Sequence, residues 1–355
     1  MILTIWRYAY GGAKIMALKS LLLSPEDYHY LLRARNLEDL VGYLRTTAYG
    51  QTLSGWDWRR SDAESELSRR LYGDLARAFL KVRRGLKKRE SCFLNLLLSR
   101  LVAENLKVVL RALNLRLDPV EAAARLLPLT ALSTLDFQEM LRQETIPRLV
   151  DYLAATVWGP PLAKGLSRFE REANLFPLEM SLDLMVYASL WQGLEWLSRA
   201  DRRIAGDILG TLTDITNITW TGRFRDLYGF PAEETYQYLL EAGSFISPAA
   251  RRALAFATNT GEMILRLPRR SYIELLQGAE DRAEVEARLR LHWMTTLEKG
   301  LAQPPFQIGL PITFLFFKEL ELDNLITLIT GMLLDLPSEQ VAPWLWRRVA
   351  GGGHV

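Results

Sequence analysis

The residues in this chain that could do chemistry come in three matched sets. Glu104 and Asn105 are followed by Arg111; Asp214 and Asn217 by Arg223; Glu321 and Asn324 form the third set. Carboxylates beside amides are possible metal ligands. Each set falls in a different third of the chain, however, and nothing in the spacing makes them converge. An amide on an apolar helix stripe costs energy unless its donors and acceptors are met. A fixed hydrogen bond to a neighbouring main-chain segment is therefore the expected use of each Asn. The acid precedes the amide by three residues in the second and third sets, on the same helix face. In the first it is adjacent, and position 102 is Val.

Other reaction types lack their minimum equipment. His29, His292 and His354 are far apart, without Cys or acid at metal-ligand spacing. No Asp-Asp-x-x-Asp cluster occurs, and Gly11-Gly12-Ala13-Lys14 is too short for a phosphate loop. No Gly-x-Ser-x-Gly elbow is present. Cys92 is alone, so no disulfide framework is expected and a reducing compartment fits. The reading is of a non-enzyme with no catalytic, metal or cofactor-binding residue.

The elements that must position the three amides are helices. From Phe93 to Leu113 the apolar stripe runs Leu94, Leu98, Leu101, Asn105, Val109 and Ala112, at helical spacing. No strictly alternating run demands a strand. Ser24-Pro25-Glu26-Asp27 predicts a capped helix start. Asp118-Pro119-Val120-Glu121 predicts a capping box, with Glu121 reaching back to the cap. Phe230-Pro231-Ala232-Glu233 and Leu336-Pro337-Ser338-Glu339 keep Pro and Glu but lose the polar cap.

These landmarks repeat. Asn105 to Asn217 is 112 residues and Asn217 to Asn324 is 107, with Pro-x-Glu following each by 14, 14 and 13. Independently, Leu40-Val41-x-Tyr43-Leu44-x-x-Thr47-x-Tyr49-Gly50 matches Leu149-Val150-x-Tyr152-Leu153-x-x-Thr156-x-Trp158-Gly159 at an offset of 109. One cassette used three times is expected, over 1–118, 119–230 and 231–350, with a disordered tail at 351–355. The fold class is all-α: three pseudo-threefold-related helical bundles forming a funnel. A period of about 110 residues argues against a solenoid of short repeats.

Composition bounds the partners. Among 355 residues, 49% are hydrophobic and 24% charged, and the net charge of +3 gives no support for nucleic-acid binding. The basic run from Lys81 to Arg89 is expected as a solvated helix end. Ile308–Phe317 and Leu325–Leu334 are apolar for ten residues each, against the ~20 that cross a bilayer, so buried helices are expected. Met1–Trp6 lacks a preceding basic region, and no secretory signal is read there. Of the ten tryptophans, Trp344 and Trp346, with Arg347 and Arg348, could form a last amphipathic helix or a contact surface.

The full-length pattern resembles the C subunit of the A/V-type rotary ATPases, homologous to the d subunit of the eukaryotic vacuolar enzyme. The resemblance is carried by Tyr10-Gly11-Gly12-Ala13-Lys14-Ile15-Met16-Ala17-Leu18-Lys19-Ser20, by Leu40–Gly50, and by Glu104-Asn105-Leu106-Lys107 with Arg111. It is completed by Pro305–Pro311 followed by Lys318-Glu319-Leu320-Glu321-Leu322-Asp323-Asn324-Leu325. Met16 replaces a usual basic residue, Asp214–Ile218 is an altered middle copy, and Thr330 replaces the Arg of the third. The resemblance implies a non-catalytic subunit on the cytoplasmic face of the membrane, seated on the proteolipid (c/L) ring as a peripheral membrane protein. Its cavity would receive the central stalk, built of the D and F subunits, and couple rotation to ion transport in ATP synthesis or hydrolysis. No nucleic acid or small-molecule substrate is implied. The competing reading is a free-standing helical scaffold or adaptor.

Overall fold

Long apolar stripes at helical spacing, punctuated by Ser, Asp and Pro, dictate helices joined by short turns, and the computed structural model is all-α. It describes residues 12–60, 62–129, 132–241, 246–302 and 307–346, and among these no strand occurs. The expectations on Met1–Trp6, Tyr10–Gly11, Pro305, Arg347–Arg348 and the tail from Gly351 lie outside the described residues. Helix α1 spans 12–19. It is followed by α2 (Pro25–Arg33), α3 (Leu37–Leu44), α4 (Ala63–Arg83), α5 (Lys88–Leu115) and α6 (Pro119–Ala124). Next come α7 (Phe137–Leu141), α8 (Ile146–Leu153), α9 (Gly159–Glu172), α10 (Phe176–Gly193), α11 (Arg199–Asp226) and α12 (Ala232–Tyr238). The last are α13 (Pro248–Ala255), α14 (Thr260–Leu265), α15 (Arg270–Leu276), α16 (Arg282–Leu301), α17 (Gly309–Leu333) and α18 (Ser338–Val341).

Two compact units are formed. One is the continuous stretch Leu44–Gly193; the other combines the ranges Met1–Tyr43 and Leu194–Val355. In the first, α10 packs on α5 with Gly193 against Phe93 and Leu96, where a Cβ would collide with the Leu96 side chain. The predicted stripe on α5 is buried along its whole length. In the second unit, Ile218, Leu254, Met263, Tyr272, Leu276 and Leu289 form a core between α11 and the helices that follow. The two apolar runs are parts of a single helix, α17. Its first half is buried all round, whereas Leu333 and Leu334 reach solvent where the helix ends.

The predicted caps are largely present. Ser24 Oγ accepts from the Asp27 N–H at 3.2 Å, and Asp27 returns the bond to the Ser24 N–H at 2.6 Å. Asp118 accepts from the N–H groups of Val120 and Glu121, at 2.8 and 3.2 Å. Glu121 does not close the expected box: its carboxylate takes a hydrogen bond from Arg125, one helical turn on. Pro231 and Pro337 stand as N-caps without a side-chain bond. The basic run spans the end of α4, the turn and the start of α5, with Lys81, Arg84, Lys87, Lys88 and Arg89 exposed.

The second landmark folds into the same turn both times. Thr47 Oγ1 donates to the Leu44 carbonyl at 2.7 Å and accepts from the Tyr49 N–H at 3.2 Å. Thr156 does the same with Leu153 and Trp158, at 2.7 and 3.2 Å. The glycine that follows is required by close approach: a Cβ on Gly159 would lie 2.5 Å from the Leu153 carbonyl oxygen, and one on Gly50 would strike that of Arg45.

Candidate functional site

The three asparagines all sit buried on the longest helices, α5, α11 and α17. Asn105 Oδ1 accepts from the Leu127 N–H at 2.7 Å, and its Nδ2 donates to the Leu127 carbonyl at 2.9 Å. Asn217 makes the same pair with Leu240, at 2.8 and 3.2 Å. Asn324 Oδ1 accepts from the Trp346 N–H at 2.7 Å, while its Nδ2 donates to the Tyr28 hydroxyl at 3.2 Å. The main-chain partner lies 22, 23 and 22 residues beyond the amide. Each clasp fastens the segment that follows the Pro-x-Glu helix back onto the long helix, and meets polar groups that burial would otherwise make costly. Of the two readings open for Trp344 and Trp346, a last amphipathic helix is not what residues 342–346 form. Ala342–Trp344 is a single 3-10 turn, Leu345 is extended and buried, and Trp344 is exposed beneath the Arg290 guanidinium, 5.6 Å from its ring.

The acids do three different jobs. Asp214 is buried and accepts from the Tyr272 hydroxyl at 3.4 Å; burial first, then this carboxylate, push the phenol far above its usual range. Glu321 Oε2 accepts from the Leu23 N–H at 2.6 Å, and its Oε1 is 3.3 Å from Lys318 Nζ. Glu104 is exposed and pairs with Lys107 at 2.9 Å. Lys107, buried, also reaches Asp183 at 2.7 Å. Burial opposes the ammonium charge, but Asp183 and Glu104 outweigh it and hold the Lys107 pKa above its ordinary value.

The arginines pair with acids on the following stretch of chain. Arg111 makes a two-pronged bond to Glu179 on α10, at 2.7 and 2.8 Å. Arg223 does so to Glu286 on α16, at 3.0 and 2.9 Å, and Arg282 adds a third bond at 2.7 Å. Burial of Glu286 works against its charge, yet the two guanidiniums prevail and hold its pKa below the usual carboxylate value. Thr330 occupies the corresponding position on α17. Sequence reasoning misses Glu179, Glu286 and Asp183. A signal exists: Glu179 and Glu286 are 107 residues apart, the interval from Asn217 to Asn324.

The Asn105 set belongs to the Leu44–Gly193 unit and the other two to the second unit, where Asp214 and Glu321 have separate partners. Among the described residues, no group of three or more His, Cys, Asp or Glu is placed to hold a metal ion. His29 lies edge-on to Tyr30, and His292 edge-on to Tyr272; burial, then Lys299, depress the pKa of His292. No helix among the described residues is long and apolar enough to cross a membrane. Within each unit these polar side chains form hydrogen bonds and ion pairs between helices and to the main chain.

Comparison with known proteins gives a consistent picture. The family model described as ATP synthase (C/AC39) subunit matches residues 12–342. The A-type ATP synthase C subunit of Methanocaldococcus jannaschii is 25% identical over 96% of this chain and 86% of its own. The protein of the same name from Archaeoglobus fulgidus is 24% identical over 95% of this chain and 94% of its own. That from Pyrococcus horikoshii is 23% identical over 90% and 86%.

Proposed function

Since the chain belongs to the ATP synthase (C/AC39) subunit family, we propose that it is a non-catalytic coupling subunit of an A/V-type ATPase or ATP synthase. In this reading three copies of one helical cassette, 1–118, 119–230 and 231–350, close about a pseudo-threefold axis into a funnel. The base sits on the proteolipid ring at the cytoplasmic face of the membrane, and the mouth receives the foot of the central stalk. ATP hydrolysis or synthesis in the soluble head is thereby coupled to ion movement without any bond being made or broken in this chain.

The observation that carries this reading is the recurrent asparagine clasp, made at one register of three long helices. A part that transmits torque must be stiff, and closely packed interiors transmit strain rather than absorb it. Buried two-pronged amide bonds add registration that apolar packing alone does not, because sliding a helix would orphan a donor and an acceptor together.

Crosslinking of the purified complex followed by mass spectrometry tests the proposal. Lysines of this chain should link to the cytoplasmic loops of the ring and to the proteins of the stalk. Links confined to the catalytic head, or co-purification with neither ring nor stalk, would overturn it in favour of a free-standing adaptor.

A further inference from the structure

Residues near the two ends of the chain meet within one compact unit, along a seam between segments far apart in sequence, and Glu321 and Asn324 are turned toward it. Glu321 accepts from the Leu23 N–H at 2.6 Å, and Asn324 donates to the Tyr28 hydroxyl at 3.2 Å. Lys19 Nζ donates to the Leu301 carbonyl at 3.0 Å. These contacts join residues nearly 300 positions apart. Ile15, Leu23, Tyr28 and Leu31 are buried beneath them. Asn105 and Asn217, by contrast, spend both amide groups on a single residue within their own stretch of chain.

An open surface cleft of about 730 Å³ borders the same seam, between the α2–α3 turn, including Leu31 and Asn36, and the end of α17 with α18, including Leu328, Leu336 and Val341. None of the residues named for the core between α11 and α16 comes from 12–33, so releasing that stretch leaves this core in place.

We infer that residues 12–33 are a latch, held to α16 and α17 by Glu321, Asn324 and Lys19, and that this seam is where the molecule opens first. Segments of a protein open with different free energies, the least contacted first. In the coupling reading above, on which its purpose rests, the latch ties the N-terminal helices to the C-terminal ones and lets that unit yield without unfolding.

Hydrogen–deuterium exchange on the isolated full chain, with neither ring nor stalk present, tests the latch separately from the coupling reading. Residues 12–33 should exchange faster than α11 in the unaltered chain. Tyr28→Phe and Glu321→Gln should each accelerate exchange at 12–33 by about tenfold or more, the effect of removing or weakening a buried bond, and leave α11 unchanged. Tyr28→Phe removes a single oxygen, so it decides the matter should Glu321→Gln fail to fold. Equal protection of 12–33 and α11, or acceleration spread evenly over both, would overturn the inference.

Discussion

Asn105 and Asn324 stand at the same place on matching helices, yet they hold different things. Asn105 closes on Leu127 alone, taking its N–H and giving to its carbonyl. Asn324 keeps the N–H contact, to Trp346, but turns its own donor to Tyr28 at the other end of the chain. The accepting half of the clasp is common to all three asparagines, and the donating half differs at Asn324. Burial explains why the amide persists, since an unmet polar group is expensive whatever partner meets it. The partner is free to change provided some acceptor lies within reach.

That difference predicts an order of damage on replacing Asn by Leu. Asn217 is wholly buried and satisfies both polar groups of Leu240. Asn217→Leu orphans both, at about 1–3 kcal/mol each, so a loss of about 3 kcal/mol is expected in urea unfolding. Asn105→Leu should cost nearly as much. Asn324→Leu should cost about 2 kcal/mol, because Trp346 is half-buried and water can replace part of what is lost. Equal losses at all three sites would mean that the shared Tyr28 bond matters as much as a second main-chain bond.

How far the sequence reaches follows from the same contrast. Helical period, the caps at Ser24 and Asp118, and the use of Asn as a main-chain clasp are readable because each depends on residues within a few positions. The identity of the clasped residues is not, since a loop of 22 or 23 residues can return by many routes. The pairs Arg111–Glu179 and Arg223–Glu286 span 68 and 63 residues, and no local rule fixes such distances. Glu121 departs from expectation for a related reason: two partners compete for one carboxylate, and Arg125 at the favourable i+4 position takes it. The bond from Leu23 to Glu321 is beyond reach altogether, because it joins a main-chain N–H that has no sequence signature.

A second pair of regions, the threonine turns, predicts a smaller effect of fixed sign. Thr47-x-Tyr49-Gly50 and Thr156-x-Trp158-Gly159 make the same bonds in the Leu44–Gly193 unit. Gly159→Ala would place a Cβ 2.5 Å from a carbonyl oxygen and 2.6 Å from the Ala154 Cα. Main chain cannot swing aside as a side chain can, so a loss of about 2 kcal/mol is expected by thermal denaturation, and likewise for Gly50→Ala. Gly206 on α11 is the control. Its added Cβ would sit at an ordinary 3.8 Å from Leu194 Cδ1, and Gly206→Ala should stabilise by about 0.5–1 kcal/mol through helix propensity.

The mildest contrast lies between the two arginine–glutamate pairs, and acid separates them. Glu286 is the more buried acid and accepts from both Arg223 and Arg282, whereas Glu179 is less buried and accepts from Arg111; Arg111 and Arg223 are each about half exposed. Glu286→Gln should therefore cost about 1 kcal/mol at neutral pH, and Arg111→Met no more than about 0.5 kcal/mol, the usual worth of an exposed pair. The folded pKa of Glu286 is depressed below the ordinary glutamate value of 4.5. Its contribution is complete above that value and disappears as pH falls through the lowered folded pKa, where the native carboxylate finally takes up a proton. Measured by urea unfolding, the deficit of Glu286→Gln should therefore be constant from about pH 7 to about pH 5 and shrink under stronger acid. A deficit that instead persists unchanged well below about pH 4 would mean that the loss comes from the shape of the amide and not from the missing charge.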